Sequence, residues 1–296
     1  MDPRRRALLA VLAAGAVRPA LAQGSLSKKI PSTGEALPVI GVGTWQTFDV
    51  GASPSARAPL RELLRLLNGN LIDSSPMYGS SETVAGDLIA ELGMRDKLFV
   101  ATKVWSNGRD AGIAQMETSF RRLRVQRMNL MQVHNLADVA THTKTLLDWK
   151  DNKRIRYIGI THYTSSAYAE VERAMRTRHY DFLQINYSLA ENESERRLLP
   201  LAQELKMAVI ANRPFAEGAL FRRVKGKPLP PWAAELGIAS WAQYFLKWIV
   251  SHPAITCAIP GTGNPKHMKD NLGAGHGTLP DASARKRMAA YWDALG

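Results

Sequence analysis

The stretch Asn70 to Glu82, NLIDSSPMYGSSE, joins a short apolar run to a polar turn that leads into an amphipathic segment. The apolar run has the length and composition of a β-strand, and the spacing of apolar residues over Glu82 to Leu92 is typical of a helix. The same order of strand, turn and helix recurs along the chain. The repetition of this unit predicts the fold.

Eight short apolar runs have the strand pattern: VIGVGTW (39–45), NLIDSS (70–75), LFVATKV (98–104), NLMQVH (129–134), RIRYIGIT (154–161), FLQINYS (182–188), MAVIANR (207–213) and TCAIPG (256–261). Amphipathic stretches lie between them: Leu60 to Leu67, Glu82 to Leu92, Ile113 to Leu123, Thr143 to Asp151, Ala167 to Met175, Glu195 to Leu205 and Trp241 to Val250. Such alternation favours parallel pairing, and eight units predict an α/β fold of the (β/α)8 TIM barrel type in one domain. An open doubly wound sheet is the competing architecture, but no Gly-x-Gly-x-x-Gly turn opens a helix after the first strand.

Two further segments bear on this architecture. Lys28 to Leu37, with Ser32 to Gly34 as its turn, is predicted to form an N-terminal β-hairpin that closes the bottom of the barrel. Phe215 to Trp232 is the longest irregular connection, and it follows the seventh strand. Long connections in compact domains are often functional, and a solvated insertion is the equally weighted alternative.

Four polar residues lie just past, or at the end of, three successive strands. They are Asp73, Tyr78, Lys103 and His134. Because the carboxyl ends of barrel strands meet at one face, we expect these side chains to lie together. They form a proton-transfer set, in which an ammonium lowers the pKa of a phenol and a carboxylate holds the ammonium in position.

These residues, together with VIGVGTWQ (39–46) and IPGTGNPKHMKDNL (259–272), resemble the aldo-keto reductase family. The resemblance covers Ile30 to Leu272 and implies a barrel domain over residues 27–296. It implies NADPH-dependent reduction of an aldehyde or ketone to the alcohol, with Tyr78 as general acid. Lys103 would lower the pKa of Tyr78, Asp73 would anchor Lys103, and His134 would orient the carbonyl. A cofactor-binding sensor or interaction subunit on the same barrel is the alternative, because fold does not fix function.

The resemblance also implies a set of cofactor contacts at the strand ends: Gly43, Thr44, Asp73, Thr161, His162, Gln184, Asn212, Arg213, Gly261, Thr262, Lys266, His267 and Asn271. Several of these positions depart from the family pattern. Thr161 and His162 stand where the family usually has a serine and an asparagine that bind the nicotinamide carboxamide. Asn212 stands where the family often has an aromatic residue that stacks on the ring. Arg213 is interpreted either as a ligand of the pyrophosphate or as a member of a surface ion pair.

At the adenosine end, Gly261, Thr262 and His267 replace residues that bind the 2′-phosphate in many family members. Lys266, His267 and Lys269 keep this region basic, which favours NADPH, with NADH as the alternative. Asn271 matches an adenine contact. We expect no metal ion to take part, because no His, Cys or carboxylate cluster has ligand spacing.

Substrate contacts are predicted from the same resemblance at Trp45, Trp105 and Asn135. Many relatives have a longer C-terminal tail over the pocket than the stretch Tyr291 to Gly296 provides. We therefore expect an open, permissive site for a small-molecule carbonyl compound, in a monomeric protein.

The 296 residues carry a formal net charge of +13. The arginines are spread over helices without interleaved aromatic residues, so we expect no nucleic-acid partner. Cys257 is the single cysteine, which excludes an intrachain disulfide. We expect no membrane span in the mature region.

Residues 1–22 are predicted to be a signal peptide. A basic region at Arg4 to Arg6 is followed by an apolar stretch and by the small-x-small cleavage site Ala20-Leu21-Ala22. The adjacent arginines indicate the twin-arginine export machinery, which would carry a protein folded around its cofactor, and the general secretory route is the alternative. The sequence thus predicts an exported, periplasmic protein.

Overall fold

The computed structural model describes residues 25–295, so the predicted signal peptide at residues 1–22 lies outside the described part of the chain. All eight predicted strands are present, preceded by two hairpin strands. In chain order the strands are β1 (Ser27–Lys29), β2 (Ala36–Pro38), β3 (Val42–Gly43), β4 (Leu71–Asp73), β5 (Phe99–Val104), β6 (Met128–His134), β7 (Ile155–Thr161), β8 (Phe182–Asn186), β9 (Ala208–Asn212) and β10 (Ile255–Ala258).

Strands β3 to β10 form one parallel sheet in strict chain order. Parallel bridges pair Ile40 with Ala258 and Gly43 with Gly261, and they join the two edges of that sheet. The amides of Gly41 and Ala258 donate across this seam to Ala258 O and Val39 O at 2.8 and 2.9 Å. The sheet therefore closes into the predicted (β/α)8 barrel, and every strand points its carboxyl end to the same face.

The helices of the described residues pack around the barrel: α1 (Pro54–Arg65), α2 (Ser81–Glu91), α3 (Arg109–Leu123), α4 (Val139–Asp151), α5 (Tyr168–Met175), α6 (Leu198–Glu204), α7 (Ala219–Arg223), α8 (Trp241–Val250), α9 (Pro265–Gly273) and α10 (Ala282–Ala294). The apolar pattern located seven of them but placed the first residues of α1, α3 and α4 too late. In α1 the first turn is polar, and it begins with Pro54 after the cap Ser53, whose side chain accepts from Ala56 N. Such a turn has a cap signal but no apolar face to detect.

The predicted hairpin forms, and it closes the amino-terminal end of the barrel. Lys28 pairs with Leu37 in the antiparallel register of β1 and β2. Ile30 and Leu37 are fully buried in one apolar cluster with side chains from the starts of the barrel strands, such as Phe99 and Phe182. The hairpin therefore covers the interior of the barrel at this end with apolar side chains.

Polar contacts hold the hairpin in place. Lys28 Nζ donates to the carbonyl oxygens of His252 and Ile255 at 2.7 and 2.6 Å. At the tip, the Tyr157 hydroxyl donates to Glu35 at 2.5 Å and lies 2.7 Å from Thr33 Oγ1. These contacts connect the hairpin to the last barrel strand on one side and to β7 on the other.

The long connection after β9, predicted as irregular, contains α7 and a 3-10 turn over Pro231–Leu236. Aromatic side chains hold it on α8: Phe215 and Phe221 have ring centroids 4.7 Å apart, and they lie 6.4 and 5.6 Å from the ring of Phe245. The connection is therefore packed on α8 instead of forming a solvated insertion. Between residues 25 and 295, no helix has the length and apolar character needed to cross a bilayer.

Candidate active site

A buried ion pair lies at the carboxyl end of the barrel. Lys103, the second-to-last residue of β5, donates from Nζ to Asp73 Oδ2 at 2.5 Å and to Ser74 O at 2.7 Å. The side chains of Lys103 and Asp73 are 1% and 4% exposed. Gln132 on β6 donates to the other Asp73 oxygen at 3.2 Å. Both oxygens of the carboxylate are thus engaged by partners on neighbouring strands.

Burial alone would lower the pKa of Lys103, but the charge of Asp73 and the nearby Tyr78 raise it above its usual range. Lys103 therefore stays an ammonium at neutral pH. A buried charge is tolerated only when it is paired and hydrogen-bonded. The pair places a fixed positive charge next to Tyr78, 5.0 Å from the centroid of its ring.

Tyr78 lies in the turn between β4 and α2. Its backbone amide donates to Ser75 O at 3.0 Å, and Ser81 N donates to Tyr78 O at 3.0 Å. The next residue, Gly79, has a φ of +57°, and an added Cβ would come within 2.3 Å of Asp49 Oδ2. Only glycine suits this turn, which therefore fixes the direction of the phenol.

The pKa of Tyr78 is raised above 10.0, because burial outweighs the lowering by the Lys103 ammonium, and Asp73 raises it further. The expectation of a lowered pKa is therefore wrong in the net direction, although Lys103 acts in the expected sense. The phenol keeps its proton at neutral pH. A general acid must be protonated before it reacts, so this state is the one that proton donation requires.

His134 ends β6 and faces both Tyr78 and the mouth of the barrel. Its ring centroid lies 6.0 Å from that of Tyr78, with the planes at 84°, and 6.4 Å from that of Trp105. Burial, with the charges of Lys103 and His162, lowers the pKa of His134 to about 3. The imidazole is therefore neutral at physiological pH and can donate or accept one hydrogen bond at its exposed nitrogen.

The strand ends on the opposite side of the mouth have unsatisfied amide groups. Thr161 Oγ1 donates to Gln184 Oε1 at 2.9 Å, and Asn212 Nδ2 donates to His162 O at 3.0 Å. The remaining polar atoms, Gln184 Nε2 and Asn212 Oδ1, are buried and have no hydrogen-bond partner within the described chain. A donor and an acceptor left free in this way indicate a polar ligand between these strands.

His162 turns its Nδ1 towards the backbone, where it accepts from Tyr163 N at 3.0 Å. Its ring stacks on that of Tyr163, with centroids 5.6 Å apart and planes at 7°. Arg213 is already paired with Glu191 at 2.8 Å and with Glu217 at 2.5 Å. The structure therefore shows the ion pairs that were the alternative interpretation of Arg213.

The segment after β10 forms a basic helix start. Asn264 caps α9 by accepting from Lys266 N at 2.9 Å, and Asn264 N donates to Thr262 Oγ1 at 3.1 Å. Lys266 and His267 are exposed in the first turn, and Asn271 is buried further along the helix. The positive end of a helix with basic side chains favours a phosphate group.

Gly43 and Gly261 face each other across the barrel seam, and a Cβ on Gly43 would lie 3.2 Å from Ile259 O. Thr44 is buried and its hydroxyl donates to Ser74 Oγ at 2.9 Å. Thr44 therefore supports the turn after β4, and the absence of a side chain at Gly43 permits the close approach of the backbone at Ile259.

Large apolar side chains surround the mouth. Trp45 is 47% exposed, Trp105 41% and Tyr163 46%, whereas most large side chains of the barrel are buried. Gln115 holds the backbone of Trp105 by accepting from its amide at 2.6 Å and donating to its carbonyl at 3.0 Å. Asn135, in the turn after His134, has a φ of 51°. The three predicted substrate contacts thus lie around the entrance, and their role stays a prediction.

Several known proteins share this barrel. The profile of the Aldo/keto reductase family matches residues 39–291. The chain belongs to this family. It is similar to the methylglyoxal reductase YeaE of Escherichia coli, with 29% identity over 260 residues that cover 82% of this chain and 88% of the relative.

Solved structures agree in fold. An aldo-keto reductase from Klebsiella pneumoniae, in complex with NADPH, superposes with a TM-score of 0.76 at 24% identity, covering 90% of this chain and 95% of that one. The aldo-keto reductase AKR11C1 of Bacillus halodurans gives 0.71 at 19% identity, with 90% and 96% of the two chains covered. At these identities the superpositions show that the aldo-keto reductase barrel is shared.

Two residues that contact the predicted catalytic set were not identified from the sequence. Gln132 bonds to Asp73, and Ser75 lies 3.1 Å from His134 Nδ1. Gln132 is a polar residue in the apolar run NLMQVH, two positions before His134, so alternation of side chains puts both on one face of β6. That spacing could have identified it. No signal in the sequence distinguished Ser75 from an ordinary turn serine.

We predict that Lys103→Met lowers the free energy of unfolding by about 3–5 kcal/mol, because it leaves the Asp73 carboxylate buried without its cation. The double variant Asp73→Asn/Lys103→Met should recover much of this loss, since no buried charge is left unpaired. Denaturant unfolding followed by circular dichroism measures both values. Arg61→Met, which breaks the surface pair with Glu91, is the matched control and should leave the midpoint nearly unchanged. Equal destabilisation by the single and the double variant would contradict the role of the pair.

Proposed function

We propose that this aldo-keto reductase family member reduces an aldehyde or ketone to the alcohol with NADPH. The observation that carries the proposal is a protonated, buried Tyr78 next to the charged Lys103 and the neutral His134. The relative named methylglyoxal reductase and the NADPH complex of the Klebsiella pneumoniae enzyme support the same reaction class. A sensor role would not require a buried ammonium next to a phenol, so it is not favoured.

The residues of the strand ends suit a nicotinamide nucleotide. Gln184 Nε2 and Asn212 Oδ1 offer a free donor and a free acceptor to a carboxamide, and the α9 start offers Lys266 and His267 to a phosphate. Bound NADPH would supply the hydride for the carbonyl carbon. The chain's own residues then have to orient the carbonyl, supply a proton and exclude alternative geometries.

Each residue of the set has one task. His134 hydrogen-bonds the carbonyl oxygen and holds it near the Tyr78 hydroxyl, which donates its proton as negative charge develops on that oxygen. Lys103 stabilises the tyrosinate that results, because an ammonium nearby favours the ionised phenol. Asp73 keeps Lys103 in place, and a proton from solvent restores Tyr78 after the alcohol leaves.

The mouth of the barrel indicates a permissive substrate pocket. Trp45 and Trp105 present broad apolar faces that remain about half exposed, and the ring of His134 lies 6.4 Å from that of Trp105. Apolar walls contribute affinity without demanding a particular pattern of hydrogen bonds. We therefore propose that carbonyl compounds of varied shape are accepted.

Tyr78→Phe removes the proton donor and is expected to lower kcat for carbonyl reduction by roughly 10²-fold to 10⁴-fold. NADPH oxidation, followed at its near-ultraviolet absorbance against a panel of aldehydes and ketones, measures this loss. Tyr180→Phe is the matched control, because Tyr180 bonds to Thr143 away from the site and its loss should leave kcat unchanged. Unaltered turnover in Tyr78→Phe would refute the assignment, and NADPH binding without wild-type turnover would favour the sensor.

The same assay tests the protonation states. Reduction requires protonated Tyr78, whose pKa is raised by burial so that the alkaline limb lies far above neutrality, and neutral His134, whose pKa of about 3 places the acid limb far below neutrality. The value of kcat for the wild type should therefore be flat between about pH 5 and pH 9. A step in kcat near pH 6.5 would contradict a neutral, buried His134.

The preference for NADPH is expected to depend on the first turn of α9. Lys266→Glu reverses a charge next to the proposed 2′-phosphate site, so it should raise the KM for NADPH about tenfold or more and change that for NADH little. Initial rates with the two cofactors measure the ratio. Lys286→Glu, in α10, is the charge-matched control. Equal effects on both cofactors would show that Lys266 does not face the 2′-phosphate.

We further propose that residues 1–22 direct export to the periplasm and are removed. The arginines at positions 4–6, the apolar stretch and Ala20-Leu21-Ala22 support this proposal. Mass spectrometry of the periplasmic protein should give Gln23 as its first residue, and retention of Met1 would contradict export. Replacing Arg4, Arg5 and Arg6 by lysine keeps the charge but should block only the twin-arginine route.

A further inference from the structure

Ser75 links the turn that carries Tyr78 to the histidine of the site. It lies between Asp73 and Tyr78 in sequence and is fully buried. Its Oγ is 3.1 Å from His134 Nδ1, and Met77 N donates to the same oxygen at 3.2 Å. The hydroxyl therefore contacts a ring nitrogen, whose role depends on the tautomer, and a backbone amide, which can only donate.

The direction of the hydrogen bond between Ser75 and His134 follows from where the hydroxyl proton can go. Within residues 25–295, the hydrogen bonds of Ser75 Oγ are those to His134 Nδ1 and from Met77 N. If Nδ1 carried a proton, it would donate to Oγ, and the buried hydroxyl proton would lack an acceptor. Leaving a buried donor unpaired is unfavourable, because the group loses its hydrogen bond to water and gains none in return. The arrangement in which Ser75 donates to an unprotonated Nδ1 satisfies every group.

We propose that Ser75 is a positioning residue that holds neutral His134 in the tautomer with its proton on Nε2. This inference rests on the proposed function, because its consequence concerns the substrate carbonyl. With Nδ1 accepting from Ser75, Nε2 presents an N–H to the carbonyl oxygen. The opposite tautomer would present a lone pair to that oxygen, which repels it and cannot orient it.

The geometry of the turn makes this effect specific. The Ser75 carbonyl accepts from Tyr78 N at 3.0 Å, and its hydroxyl accepts from Met77 N. One residue thus fixes the backbone that carries the acid and, through its side chain, the ring that orients the carbonyl. The hydrogen bond to Tyr78 N uses the backbone of Ser75 and survives a change of side chain. The contact with His134 uses the hydroxyl and is lost when the hydroxyl is removed.

The experiment compares the wild type with Ser75→Ala and Ser75→Thr in protein labelled with ¹⁵N at histidine. Two-bond proton-nitrogen correlation spectra distinguish the tautomers, and a His134→Gln variant serves to assign the resonances. We expect the wild type to show only the Nε2–H form of His134 at neutral pH. Ser75→Ala should show a mixture of both forms, and Ser75→Thr, which keeps the hydroxyl, should restore the wild-type pattern.

Kinetics supplies the second readout. Ser75→Ala should lower kcat for carbonyl reduction by roughly tenfold, as expected when one oriented hydrogen bond weakens in the transition state, with little change in the Kd for NADPH. Ser75→Thr should recover most of kcat. An Nδ1–H tautomer in an active wild type, or an unchanged Nε2–H tautomer in Ser75→Ala, would overturn the role of Ser75. Absence of wild-type turnover would instead refute the proposed function.

Discussion

The ion pair between Lys103 and Asp73 is the interaction on which the site depends. Two charges removed from water are stable only when each is paired and its remaining hydrogen bonds are satisfied. Asp73 therefore requires Gln132 as well as Lys103, and Lys103 requires the Ser74 carbonyl as well as Asp73. These hydrogen bonds connect β4, β5 and β6 at their carboxyl ends. The position of the strands therefore determines where the Lys103 ammonium lies relative to Tyr78.

The two ends of the barrel meet opposite requirements. At the amino-terminal end, Ile30 and Leu37 of the hairpin complete an apolar cluster that excludes water. At the carboxyl end, polar groups remain incompletely satisfied, as Gln184 Nε2 and Asn212 Oδ1 show for the described chain. Stability and ligand binding are thus assigned to different ends of the same strands, an arrangement typical of this architecture.

The order of the strands and the hairpin could be predicted because their apolar periodicity and turn residues are local properties of the sequence. The grouping of Asp73, Tyr78, Lys103 and His134 followed from strand polarity and from the family resemblance. The net pKa of Tyr78 could not be predicted, because it depends on how completely the folded barrel removes water from the phenol. The first turns of α1, α3 and α4 could not be predicted either, because they have little apolar face. The contact of Ser75 with His134 could not be predicted, because it depends on the directions of side chains that follow two different strands. The pairing of Arg213 with Glu191 and Glu217 likewise depends on which loops come together.

The turn from Asp73 to Tyr78 has a consequence for how this protein can diversify. Within six residues it supplies the carboxylate, the carbonyl that binds Lys103, the serine next to His134 and the phenol. An inserted or deleted residue there would disrupt all of these contacts at once, so this turn is expected to tolerate almost no change in length. Trp45, Trp105 and Asn135, by contrast, lie on three separate loops. Substitutions in those loops can alter which molecules enter while leaving proton transfer intact, which makes the mouth the natural place for engineering new substrate ranges.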